Sequence, residues 1–123
     1  MDKSARRLER EAALKELYRL EYEPEGRVRL RKEYARKLCD GVREKVSEHD
    51  AKIKGRLKAG WPFERLSKMD VLIMRIAIFE MSQGLDPAVA INEALELVRG
   101  YSEEKSVAFV NGVLDSVAKT EGK

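Results

Sequence analysis

The 123-residue chain has a single cysteine, Cys39, and a single histidine, His49. One cysteine leaves no internal disulfide, which fits a reducing cytoplasm. One of each excludes a zinc site on ligand count, and no pattern links the two as a nucleophile pair. Prolines number only three, and strand-like alternation is hard to find anywhere. There is no glycine-rich phosphate loop of the P-loop or dinucleotide-binding kind. The opening MDKSARRLER has no apolar run, so no secretory signal is expected. No apolar stretch reaches the roughly 20 residues that a bilayer span needs, so no membrane association is expected either. Carboxylates are plentiful but scattered over helical outer faces. Neither catalysis nor a bound cofactor or metal is expected, and the expected location is cytoplasmic.

What the chain does have is charge and helical periodicity. Charged residues make up 38% and hydrophobic residues 43%, the mixture of a helical protein with solvated outer faces. The length suits one domain with a real core. The net charge of +3 conceals an asymmetry. Residues 1–62 hold 18 Lys/Arg against 12 Asp/Glu, and residues 63–123 hold 7 against 10. A basic front half on an acidic back half suggests one surface facing a polyanion and a separate one for another partner. Two ordinary solvated surfaces would give the same count.

The stretch 67–81, SKMDVLIMRIAIFEM, is the expected core helix. Ser67 is its N-cap, with Asp70 three residues on in a capping-box-like arrangement, and Gly84 marks its end. It is apolar nearly all round and so belongs in the middle of a bundle. Asp70, Arg75 and Glu80 are its only charges beyond the cap region, and at 100° per residue they point in three directions. Glu80 either reaches solvent at a groove or is held by a basic neighbour inside the protein, because an unpaired carboxylate is costly to bury.

In chain order, residues 3–22 read as a first helix with Leu8, Ala12, Ala13, Leu17 and Leu20 on its apolar side. Lys3, Arg6, Arg7 and Arg10 cluster on its first turns as a basic stripe that runs towards Tyr18. Phosphates on the guanidinium groups and a base on the ring would suit single-stranded RNA. Solvated arginines and a core Tyr18 are the alternative. After the break at Glu23-Pro24-Glu25-Gly26, a second helix is expected over 27–47, with Leu30, Tyr34, Leu38 and Val42 inward. Its opening, RVRLRK, is a second basic cluster, unfavourably placed at a helix N-terminus. Gly41 predicts the close approach of another helix. A short helix is expected at 50–59, and the boundary between two half-domains near Pro62. Asp86 and Pro87 are a good N-cap and first residue for a helix over 87–99, closed by Gly100. A last helix starts within 102–106. There, Asn111 and Gly112 predict close packing, Gly112 admitting a neighbour and Asn111 bonding a helix end, with RNA contact as the alternative.

Three segments together resemble the NusB family of bacterial transcription antitermination factors. They are WPFERLSKMDVLIMRIAIFEM (61–81), VAINEALELVRGYSEEKSVAFVNGVLD (89–115) and ARRLEREAALKELY (5–18). The resemblance implies an all-α fold of two small helical subdomains packed together. It also implies binding of boxA RNA together with NusE, a small-subunit ribosomal protein, in support of processive elongation through ribosomal RNA operons. RNA polymerase and other Nus factors are then indirect partners, and homodimerisation is a further expectation. Carried over by position, Arg6, Arg7, Arg10 and Tyr18 fall in the RNA-binding region, as do Lys105, Ser106 and Phe109 around the start of the last helix. Glu80 falls at a position that docks NusE. Two features depart from the family. The region between Tyr22 and Tyr34 is shorter than usual, which leaves about six helices rather than seven. Lys105 stands where some members carry an acidic residue, and a cation there favours RNA. The competing reading is a helical interaction module of the same fold without specific RNA binding.

Overall fold

The computed structural model describes residues 4–121. It consists of α1 (Ala5–Tyr22), α2 (Glu33–Glu44), α3 (Val46–Lys54), a single 3-10 turn (Phe63–Arg65), α4 (Lys68–Ser82), α5 (Pro87–Tyr101) and α6 (Ser106–Glu121). α4 starts where the capping pattern places it, with the Ser67 hydroxyl accepting from the Asp70 amide at 3.3 Å. The chain leaves α4 through Gly84, whose φ of 99° is a left-handed conformation suited to glycine. Asp86 then caps α5 through the Ala88 amide at 3.2 Å.

Every residue of α4 from Asp70 to Glu80 is buried, and α4 touches each of the other five helices. Around it, Leu14 and Leu17 of α1, Leu38 and Val42 of α2, Ile53 of α3, Val98 of α5 and Leu114 of α6 join one buried cluster. That cluster draws on both halves of the chain and crosses the expected boundary near Pro62 without interruption.

Three expected elements differ. The second helix begins at Glu33 rather than near residue 27; residues 26–31 form no regular secondary structure, and Lys32, the N-cap, is extended. Here side chains of α1 take the backbone groups: Arg19 donates to the Arg27 carbonyl, and Glu16 accepts from the Arg29 amide. Arg27 and Arg29 are thereby kept away from the helix N-terminus, where they would oppose the dipole, while Lys32 stands at the N-cap itself. The third helix spans Val46–Lys54 because the chain turns at Lys45, leaving His49 and Ile53 buried beside α4. Gly100 does not close α5. The helix runs on to Tyr101, whose hydroxyl donates to Glu11, and Ser102 then donates to Asp70.

Gly41 behaves as expected and Gly112 does not. A Cβ built on Gly41 would lie 2.2 Å from the Phe79 ring, so the α2–α4 contact needs a hydrogen there. A Cβ on Gly112 would meet nothing within 4 Å, and Asn111 is exposed. That stretch of α6 borders an open groove rather than a packed helix.

Gly41→Ala should therefore destabilise the protein. Overpacking costs about 1–3 kcal/mol, which outweighs the gain of up to about 1 kcal/mol in helix propensity. A lowered thermal midpoint is the expected result, and a raised one would mean that the Phe79 ring moves aside.

Candidate nucleic-acid interface

The basic stripe of α1 divides into residues turned inward and residues left at the surface. Ser4 caps the helix through the Arg7 amide at 3.1 Å, which sets the rotation of the first turns. Arg10 then points into the bundle. It is 5% exposed and donates through Nε to both Glu80 oxygens, at 3.0 and 2.9 Å. The Tyr34 hydroxyl donates to the same carboxylate. Arg7 forks onto Glu93 of α5 through two bonds of 2.9 and 2.8 Å. Arg10 Nη1 lies 3.4 Å from that carboxylate as well. Only Arg6 of the described stripe is exposed, with its guanidinium 3.7 Å over the Tyr34 ring. Lys3 lies outside the described residues.

Of the two readings of Glu80, the one with a basic neighbour inside the protein holds, and the docking role implied by the resemblance is corrected: Glu80 is 2% exposed, its charge is matched by Arg10, and the Tyr34 hydroxyl donates to it. The reading of α1 is corrected too. Arg10 is not a solvated cation, and Arg7 is only partly one, because each joins α1 to the acidic back half. Burial, and then the bond to Glu80, push the Tyr34 hydroxyl up to about 12.

Tyr18 is at the surface rather than in the core, 37% exposed. Tyr22 lies one turn on and is 71% exposed. The two rings meet edge to face at 5.4 Å, and the hydroxyls are 3.3 Å apart. That hydrogen bond raises the Tyr18 hydroxyl above its ordinary value. Lys15, exposed and three residues before Tyr18 on the same helix, has its ammonium 5.6 Å from the centre of the Tyr101 ring. Tyr22 and Lys15 did not emerge from the sequence reading, although the spacing of four between Tyr18 and Tyr22 places both rings on one helical face.

The loop before α6 forms a second patch. Lys105 is exposed, with its ammonium 3.6 Å from Glu103. Phe109 stacks on Trp61, centroids 6.0 Å apart at 25°. With Arg65 they line an open groove of about 480 Å³. Ser106 is not at the surface; its hydroxyl donates to Asp70 at 2.6 Å and pins the start of α6. Trp61 and Arg65 were likewise not among the expected site residues, since contact across 48 residues leaves no local pattern for Trp61.

A free aromatic pair with cations nearby, and a stacked Trp–Phe groove beside Lys105, make a surface able to hold bases and phosphates. Among the described residues no group of three or more His, Cys, Asp or Glu side chains is placed to hold a metal ion. No described helix is long and apolar enough to cross a membrane.

The sequence model of the NusB family matches residues 2–119. The chain belongs to the NusB family. The transcription antitermination protein NusB of Limosilactobacillus fermentum is 38% identical over 127 residues, 91% of each chain. That of Clostridium botulinum (strain Kyoto / Type A2) is 45% identical over 84 residues, 67% of this chain, and the match spans only 58% of the relative's own length. Among solved structures, T. maritima NusB superposes with a TM-score of 0.84 at 32% identity, covering 96% of this chain and 93% of that one. A structure of NusB and NusE in complex with dsRNA shares the fold, with a TM-score of 0.78 at 24% identity over 94% and 96% of the two chains. The all-α, six-helix, NusB-like architecture expected from the sequence is thus the one observed.

Glu80→Ala should cost about 3–5 kcal/mol, because it leaves the Arg10 charge buried without its partner. Urea unfolding measures this, and a change below 1 kcal/mol would mean that the pair is dispensable. The Arg7 fork holds the Glu93 carboxyl below its ordinary value, hydrogen bonding being the largest cause. The folded-state pKa is thus the lower one. Its stabilisation is complete above the ordinary carboxylate value of about 4.3 and is lost as pH falls through the lowered one. Glu93→Gln should flatten the acid limb of the stability–pH curve and leave its shape above pH 6 unchanged.

Proposed function

We propose that this protein is an RNA-binding transcription antitermination factor, which binds boxA RNA together with NusE and supports processive elongation of ribosomal RNA operons. The observation that carries the reading is the exposed Tyr18–Tyr22 pair on α1. An unburied aromatic pair beside Lys15 has no role in the core, and its ring faces suit unstacked bases. The second patch, with Lys105, Phe109 and Trp61, supplies another stacking surface beside a cation.

Support also comes from the relatives. Those described above are transcription antitermination proteins by name, and a structural neighbour is a complex of NusB with NusE and dsRNA. Lys3, Arg6, Tyr18, Lys105 and Phe109 are the residues assigned to RNA. Arg7, Arg10 and Ser106 act indirectly, by holding α1 and the start of α6 in place. NusE docks on a surface other than the Glu80 carboxylate, and RNA polymerase and the other Nus factors are reached through the assembled complex.

Fluorescence anisotropy with a boxA RNA and a scrambled RNA of equal length, each with and without NusE, tests this reading. NusE should tighten binding of the boxA RNA and leave the scrambled RNA unchanged. Tyr18→Ala should lose about 1–3 kcal/mol of boxA affinity with an unaltered melting temperature, and Tyr18→Phe should retain most of it. Absence of any boxA preference, with NusE present, would leave a helical interaction module without specific RNA binding.

A further inference from the structure

The basic run RVRLRK has no part in the site described so far. Residues 27–32 carry four cations and no carboxylate. They run as a strap beside α1, and neighbouring side chains hold the backbone in place. Arg19 donates to the Arg27 carbonyl at 2.7 Å, Glu16 accepts from the Arg29 amide at 2.5 Å, and Arg36 donates to the Leu30 carbonyl at 2.8 Å. Beyond the strap, Glu9 accepts from the Ala35 amide at 3.0 Å. The conformation is therefore built in before any ligand arrives.

Burial alternates along the strap: Val28 and Leu30 pack against the core, and Arg27, Arg29 and Arg31 are exposed. This is the alternation of side chains along an extended chain, in which alternate residues are about 6.6 Å apart, a spacing of the same order as that of successive phosphates along a single strand. The side chains of Arg27, Arg31 and Lys32 make no hydrogen bond or ion pair among the described residues. Glu16, the carboxylate nearest the strap backbone, is already engaged by Arg19. The strap thus differs from α1, whose Arg7, Arg10 and Arg19 are all paired. At its far end, two residues past Lys32, Tyr34 carries the exposed Arg6 on its ring. The row of exposed cations therefore runs up to the N-terminal turns of α1.

Cations held side by side repel one another, and a polyanion relieves that repulsion. The apolar residues of the strap are packed inward, so what it offers a partner is charge without an apolar or aromatic side chain. We propose that the strap is a second RNA-backbone track, on which Arg27, Arg29 and Arg31 bind successive phosphates of a single strand continuing from the α1 site. The proposal rests on the RNA-binding reading above and adds a sequence-independent contact to it.

The test uses a variant with Arg27→Gln, Arg29→Gln and Arg31→Gln, which leaves Val28 and Leu30 in place. Affinity is measured against salt for a boxA RNA with ten added nucleotides on each side and for a scrambled RNA of the same length. At about 0.7 per phosphate on a single strand, loss of three contacts should make the slope of log K against log salt shallower by about 2. The change should be equal for both RNAs, so the boxA preference stays as it was. The matching Arg→Lys variant should keep the slope. Unchanged slopes with an intact boxA preference would overturn the track and leave the proposed function standing. Shallower slopes in a protein whose wild type shows no boxA preference would support the track and overturn boxA recognition. A wild type that binds neither RNA overturns both. Weakened NusE association with unchanged RNA slopes would make the strap a protein contact and overturn the proposal. If the triple variant does not fold, Arg31→Gln alone decides, with an expected change of about 0.7.

Discussion

A helix buried on every side can still carry charge, provided each charge has a partner within reach. α4 carries three buried charges, and each one joins a different part of the protein to the centre. Asp70 accepts from Ser102 and Ser106, which fixes the end of α5 and the start of α6. Arg75 forks onto Asp50 of α3 at 2.8 Å through both bonds and lies 3.8 Å from Glu21 of α1. Glu80 takes Arg10 of α1 and Tyr34 of α2. Apolar burial alone would let neighbouring helices slide or rotate on α4 at little cost. Three charge-bearing contacts in three directions allow one arrangement, since any slip leaves a buried charge unpaired.

That arrangement divides the work of the arginine-rich first helix. An arginine can hold a phosphate only if nothing inside the protein already holds it. The Arg10 site is filled by Glu80 and Glu93, and Arg7 is forked by Glu93. Their contribution to a nucleic-acid surface is orientation: with those two residues anchored inward, Arg6, Lys15, Tyr18 and Tyr22 are left on the outside of α1. The excess positive charge of residues 1–62 therefore does not sit mainly on the stripe that first suggests it.

The features read correctly from the sequence were those set by local chemistry. Ser67, Asp86 and Pro87 mark helix starts because capping needs only a residue and the amides two or three positions on. Gly41 marked a close approach because a missing side chain in an apolar stripe has few other uses. The features that were missed depend on partners far along the chain. Glu80 and Arg10 are 70 residues apart, so an internal basic partner for Glu80 could be expected but not named, and Arg10 alone looks like a charge in want of solvent. Gly100 looked like a helix stop, but Tyr101 and Ser102 are held by Glu11 and Asp70, and tertiary bonds carry α5 past it. Gly112 carried the opposite error: the same reasoning that succeeded at Gly41 fails where the facing side is open.

The connection between α1 and α2 is folded under the same constraint. It covers the flank of α1 and must satisfy its own backbone. A segment outside helix and sheet has no regular internal hydrogen bonds, so its amides and carbonyls need partners from outside. Here Glu16, Arg19 and Arg36 supply them. Those side chains are in turn committed to the strap backbone and do not neutralise Arg27 or Arg31. The alternation that seats Val28 and Leu30 on the core necessarily turns the intervening arginines outward. A row of exposed cations, with Glu16 close to Arg29 and no carboxylate on Arg27 or Arg31, is therefore what remains once a basic segment has been folded as a cover for α1.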